Sequence, residues 1–358
     1  MRLPSVAAFV LLAVLHAFAL SGAATAAPHW VPTSPFTTGV VTALAVTPAG
    51  PSLLIAFVVD PVFPTTRTAV FRSADRGETW TKVFSDPRGP YDFRGFDPRF
   101  PRTLYAFGTN GKAILLFKST LAGRSWRKLL VPFDCLGEDS LCETFLNAFA
   151  IDPAHPDTLF VAGTDFMHFV GPGDFFLRSS NDFHDSQPLP HPAPLFGLEI
   201  NPLIPHVFYG LSCSGVYQSL DASSTWRRVG AGLPLNLCTG SEPLMRQDPQ
   251  RPGFLYVAVK NGLFVSSNGG RTFIPFNAGL ESETINSLLI DPTNAAKLYV
   301  GIVRKGVYQW NARLQRWMPL NGGLPIDNFT GTLALDARHP AVLYAGTESQ
   351  GVFRLESK

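Results

Sequence analysis

Acidic side chains interleaved with phenylalanines crowd two stretches of the chain. VPFDCLGEDSLCETFLN (131–147) carries Asp134, Glu138, Asp139 and Glu143 beside Phe133, and GTDFMHFVGPGDFF (163–176) carries Asp165, His168 and Asp174 beside Phe166, Phe169 and Phe175. Carboxylates around exposed rings suit a basic peptide segment or a sugar stacked on an aromatic face, and less readily a Ca²⁺ ion. Two carboxylates at a fitting separation would also make the acid and base of a glycoside hydrolase. A different kind of group is Glu199 with Arg246, opposite charges set in otherwise apolar segments.

Other chemistries find no support. There is no H-E-x-x-H, no metal-spaced Cys/His cluster, no P-loop and no dinucleotide-binding glycine pattern, so no catalytic residue, cofactor or metal site is assigned. His155, His206 and His339 fall at equivalent places in turns and read as surface residues. With 29 Lys+Arg against 27 Asp+Glu and 16% charged residues, the 358-residue chain lacks the basic excess of a nucleic-acid binder, and its 46% hydrophobic content argues against disorder.

The elements that must position these groups repeat. An apolar strand, an Asp-Pro or related turn and a second apolar strand recur seven times, in FDPRFPRTLYAFGT from Phe96, IDPAHPDTLFVAGT from Ile151, IDPTNAAKLYVGI from Ile290 and four variants. The anchors are Thr47, Asp97, Asp152, Asn201, Asp248, Asp291 and Asp336, 43 to 55 residues apart, which is the length of one four-stranded propeller blade. Two residues before each anchor stand Ala45, Gly95, Ala150, Glu199, Arg246, Leu289 and Ala334. Equal register places these at equal depth around a central channel, so Glu199 and Arg246 are expected to meet, with the carboxylate held ionised and Glu199→Gln destabilising.

A third strand then leads into a tight turn. Ser73, Asp75, Gly77, Thr79 and Trp80 fill the pattern S-x-D-x-G-x-T-W, and Ser219 to Trp226 repeats it with Asp221 and Trp226 but with Ser223 for glycine. The copies from Ser119 and Ser266 are weaker, and those at Ser179–Ser186 and Trp310–Trp317 keep little beyond position. In this reading the acid and hydroxyls bond turn amides, and the aromatic residue packs against the next blade. These turns, over nearly the whole chain after residue 26, make it similar to the Asp-box (BNR) propellers. That group includes sialidases, sortilin-type receptors, xyloglucan hydrolases and the exported photosystem assembly factors, which this chain resembles most. A sialidase's Arg-Ile-Pro signature is absent, so the resemblance implies an all-β propeller without a sialidase active site. The last copy has three strands, and His29-Trp30-Val31-Pro32 matches a fourth, so the N-terminal strand is expected to close a seven-bladed ring.

Residues 1–26, with Arg2, an apolar run from Ala7 to Leu20 and Ala24-Thr25-Ala26, read as a signal peptide, leaving residues 27–358 as one domain in a secreted or periplasmic compartment. Four cysteines in an exported chain are expected to pair, Cys135 with Cys142 and Cys213 with Cys238. Because residues common to all blades are explained by the blade, function is sought in the enlarged loops over blade three. Asp134, Glu138, Asp139, Glu143, Asp165, His168, Phe169, Asp174 and Phe175 form the candidate ligand site. The favoured reading is a monomeric, non-catalytic scaffold that holds a protein, peptide or glycan, without nucleic acid or a membrane segment after signal removal. The alternative is a glycan-processing hydrolase using acids of the same face.

Overall fold

The computed structural model describes residues 27–34, 36, 39–48, 52–60, 67–86, 89–109, 114–129, 131, 144–165, 173–238, 243–260, 262–280, 284–339 and 342–356. They form seven antiparallel four-stranded sheets arranged as the blades of a propeller, with one 3₁₀ turn at Ile326–Asn328. The inner strands are Val40–Val46, Pro90–Phe96, Thr144–Ile151, Gly197–Ile200, Leu244–Gln247, Ile285–Ile290 and Phe329–Leu335. The second strands are buried throughout, as in Phe208–Ser212, Leu255–Val259 and Leu343–Thr347, because each is covered by a neighbouring blade on both faces. Apolar clusters fill the seams between blades. Tyr209, Leu211 and Val216 of blade four, for example, pack on Met245, Leu255 and Val257 of blade five.

Short polar side chains make the turns. Oδ1 of Asp97, Asp152, Asn201, Asp248, Asp291 and Asp336 accepts from the amides two and three residues on, which fixes the turn between first and second strands. In the first S-x-D-x-G-x-T-W turn, called a box below, Ser73 Oγ accepts from the Gly77 amide at 2.7 Å, and the Asp75 carboxylate takes the Thr79 amide at 2.9 Å and the Thr79 hydroxyl at 2.5 Å. Those bonds favour the ionised form, so the carboxyls of Asp75 and its counterpart Asp221 are lowered to about 2. The box leans on the anchor turn of its own blade: Ala122 N donates to Arg102 O, and Ala222 N to His206 O. Both kinds of turn therefore share one face of the ring, and the connections between blades lie on the other.

Two details differ from the sequence reading. The copy at Ser179 is a working box, in which Asn181 takes the aspartate's role and receives the Asp185 amide at 2.9 Å, while Phe183 N donates to Ser179 Oγ at 2.8 Å. The box aromatics also pack on the preceding blade, not the next one. Trp126 joins Ile55, Phe57 and Val70 of blade one, Trp226 joins Phe160 and Phe176 of blade three, and Trp226 Nε1 donates to Pro190 O. The turn folds back over the blade behind it, so the first residue of the outer strand faces that way.

Where the box glycine is replaced, the backbone still takes the glycine conformation. Ser223 has φ 71°, and its hydroxyl is buried without a partner among the described residues. Ser223→Gly is expected to stabilise the fold by about 1–2 kcal/mol, since it removes both a left-handed L-residue and an unsatisfied hydroxyl. A lower midpoint of chemical denaturation in the variant would reject this account.

The ring closes through His29–Pro32, which pairs with Val352–Glu356 in the register His29 with Glu356 and Pro32 with Phe353. Trp30 is buried at 1% exposure among Leu333, Leu343, Phe353 and Leu355, and its Nε1 donates to Leu320 O at 2.6 Å.

Candidate functional site in the central channel and at its loop-face mouth

The inner strands enclose a cavity of about 1020 Å³ on the ring axis. Ala45, Gly95, Ala150, Glu199, Arg246, Leu289 and Ala334 all line it. Blades seven, one, two and three contribute alanine or glycine at this depth, which leaves room for the two long side chains opposite. Arg246 Nη1 lies 3.4 Å from Glu199 Oε1 and donates to Met245 O at 2.8 Å. Half of the Arg246 side chain is exposed, against 24% for Glu199.

Blade two supplies two further charges that the repeat pattern hid. Asp92 and Arg94 sit five and three residues before their anchor and pair at 2.5 Å, and the Arg94 guanidinium stacks 4.1 Å from the Phe107 ring centre. Bulges between Pro90 and Asp92 and between Phe93 and Gly95 shift this strand out of the common register. The available signal was the charge itself, in the inner-strand segment DFRGF.

Burial raises both carboxyls. Asp92 and Glu199 are pushed up from the ordinary range because the channel wall replaces water around them, while nearby arginines pull the other way: Arg94 and Arg246 act on Asp92, and Arg246 acts on Glu199. On Glu199 the effect of desolvation is larger than the opposing pull of its partner. It also changes the sign expected for Glu199→Gln. A carboxyl raised in the fold contributes stability that is fully present below its unfolded pKa of roughly 4.3 and is lost as pH rises through its folded value. The Gln variant is expected within about 1 kcal/mol of wild type, gaining on it between pH 4 and pH 7, whereas Arg246→Ala leaves two buried acids short of a cation and costs about 2 kcal/mol. Melting both variants at the two pH values checks this, and a Glu199→Gln protein markedly less stable than wild type at pH 7 would contradict it.

Hydroxyls lash the inner strands together near the loop face. Ser287 Oγ donates to Gly331 O at 2.6 Å, Thr332 Oγ1 to Thr42 O at 3.1 Å and Thr42 Oγ1 to Tyr91 O at 2.5 Å, tying blades six, seven, one and two in sequence. Asn147 and Asn286 add polar groups to the same end of the wall.

Of the loop residues singled out in the sequence, Asp134, Cys135, Glu138, Asp139, Cys142, Glu143, His168 and Phe169 lie outside the described residues, as do Phe133 and Phe166. Asp165 is the last residue of the second strand of blade three, Leu159–Asp165. Asp174 is half-buried, and burial raises its carboxyl against the opposing influence of His191 on the connection leaving the blade. Phe175 is not presented to a ligand. It is 8% exposed and packs with Phe107, Leu146 and Leu177 in the seam between blades two and three, because the strand pleat puts Phe175 and Leu177 on the face toward blade two and Phe176 on the other. On blade four, a disulfide joins Cys213 to Cys238.

The geometry defines a seven-bladed β-propeller, and the comparisons with known proteins agree at that level. No protein-family model matches the chain, and no curated protein matches it. Among solved structures it is similar to YCF48 bound to D1 peptide, with 12% identity and a TM-score of 0.56 over 92% of this chain and 96% of that one. It is also similar to a chain of the COPII outer coat vertex on membranes, with 12% identity and a TM-score of 0.59 over 89% of this chain and 84% of that one. At this identity the likeness concerns the fold alone.

Proposed function

We propose that the protein is an exported binding scaffold that holds a protein, peptide or glycan segment on its loop face, over blade three and the channel mouth. The observation that carries this reading is that each of the four charged side chains in the channel is paired with an opposite one, Asp92 with Arg94 and Glu199 with Arg246. A carboxyl paired with a guanidinium turns toward that partner an oxygen that general acid–base catalysis would have to turn toward a substrate. The binding role then falls to the two enlarged loops read from the sequence, one of which Asp165 and Asp174 bracket. YCF48 with its D1 peptide lends support as a propeller of this architecture that holds another chain. The Cys213–Cys238 bridge accords with an oxidising compartment, and no helix among the described residues is long and apolar enough to cross a membrane.

One observation favours a hydrolase: Asp92 and Glu199 are two carboxyls in one cavity, both raised. Incubating the protein with a panel of oligosaccharides separates the readings. The scaffold reading expects no reducing ends to be released, and release that disappears in Glu199→Gln or Asp92→Asn would replace it with the hydrolase.

A further inference from the structure

The residue just before the box serine, or before Leu355 in blade seven, which has no such serine, reaches the next blade's box in blades two, four and seven. In blade seven it is Arg354, which bonds Glu78 Oε1 at 2.9 Å and Arg76 O at 2.9 Å on the blade-one box. In blade two it is Lys118, which bonds both oxygens of Asp182 on the blade-three box at 2.8 and 3.0 Å. In blade four Gln218 donates to Gly269 O of the next box, and in blade three Arg178 is exposed. Blade one places Arg72 here, and blade two offers it nothing. Where the blade-three box has Asp182, the blade-two box has Ala122; where the blade-one box has Glu78, it has Arg124.

The box of blade two sits directly on blade one. A side chain at Gly123 would meet Val70 Cγ1 at 3.4 Å and Ile55 Cγ2 at 3.6 Å, and Arg72 is two residues beyond Val70 and in register with Ile55. Arg102 is tied in by its carbonyl, which accepts from Ala122 N at 2.8 Å. Arg72, Arg102 and Arg124 form no ion pair among the described residues, and Arg72 Nε is buried without a hydrogen-bond partner. Asp97, the acid of the adjoining anchor turn, spends Oδ1 on the amides of Arg99 and Phe100. The three guanidiniums are close enough that Arg124 and Arg102 lower the pKa of Arg72, adding to the effect of its burial.

We infer that this seam between blades one and two, on the face opposite the loops, is a binding site for an oxyanion. A carboxylate or phosphate group there takes the place of the acid that the neighbouring seams carry in their own sequence. Guanidinium forks match such oxygens two at a time. Phe100 and Leu121, 59% and 53% exposed, flank the arginines and would cover an apolar neighbour of the anionic group. The charge could arrive as a free ion or on a peptide side chain.

The test is a calorimetric titration of the purified protein with inorganic phosphate at fixed ionic strength, with sodium chloride as control, repeated on Arg124→Glu and Ala122→Asp. Both substitutions copy an acid that another blade already carries. Ala122 has φ 52° and Asp182 has φ 57° in the same place, so the backbone already holds the conformation that the aspartate takes in blade three. Saturable phosphate binding is expected in the wild type, at least tenfold weaker in both variants, with Ala122→Asp melting higher than wild type in phosphate-free buffer. Competition by a short peptide amide bearing aspartate next to leucine would assign the site to a chain carboxylate, and its failure to compete would assign it to a free ion. Absence of saturable binding, or equal binding by wild type and Ala122→Asp, would overturn the proposal. Neither variant touches the loop face, so the result is independent of the scaffold reading.

Discussion

Trp30→Ala is expected to cost about 4 kcal/mol of folding stability, the largest effect of any single substitution considered for this ring. Removing a fully buried tryptophan costs roughly 3–5 kcal/mol through lost burial and the cavity left behind. Here the cavity would open among Leu333, Leu343, Phe353 and Leu355, and the indole N–H bond to Leu320 O would go with it. The position matters as much as the volume, because the strand that carries Trp30 supplies the fourth strand of the last blade's sheet. A loosened closing strand exposes the edge of Val352–Glu356 to solvent, so amide exchange there should accelerate more than in blade four. Val31, only partly buried, provides the control: Val31→Ala should change stability by less than about 1 kcal/mol. Denaturant unfolding measures both, and a Trp30→Ala protein within 1 kcal/mol of wild type would show that the ring is not held by this latch.

Replacing Cys213 and Cys238 together with alanine is expected to cost about 3 kcal/mol. The bridge closes a segment with a sequence separation of 25, and loop-closure entropy for that length gives a value of this size. It ties the turn between the second and third strands of blade four to the connection that leaves the blade, where Leu237 N also donates to Cys213 O and the Leu237 side chain is fully buried. Leu237 should therefore keep that connection seated in the variant, so the loss appears as a lower melting point with the far-ultraviolet spectrum preserved. Thiol titration of the denatured wild type without reductant checks the premise, and a reactive Cys213 or Cys238 would refute it.

The architecture was legible because the blade repeats its polar turn residues at fixed offsets. An aspartate seven residues before an L-Y-pattern strand has one physical job, capping the turn, and Asp97, Asp248 and Asp336 do it alike. The turn at Ser179 keeps little of the pattern in its letters because donor and acceptor are swapped: Asn181 Nδ2 donates to Asp185 Oδ2 where Thr79 Oγ1 donates to Asp75 Oδ2, while the backbone bond to residue 181 is kept. Chemistry in the channel was half legible. Glu199 and Arg246 stand at the common register, but Asp92 and Arg94 ride on bulges, and a bulge shifts which residue faces the channel without leaving a mark in composition. The sign of the Glu199 effect was not legible, since it depends on how much water the ring excludes. Phe175 looked like a rim aromatic from its neighbours in sequence, yet strand alternation turns it inward. The arginine site needed the seams to be laid side by side, because the informative feature is an acid absent from one of them.

The proposal is that the loop face binds and that the channel does not catalyse. It is tested most directly by probing one array of immobilised peptides and glycans with the wild-type protein, with the triple variant Asp165→Ala, His168→Ala and Phe169→Ala, and with Glu199→Gln. The account predicts a ligand whose capture falls at least tenfold in the folded triple variant and is unchanged in Glu199→Gln. Capture that survives the triple variant, or cleavage of an arrayed glycan that stops in Glu199→Gln, would contradict it.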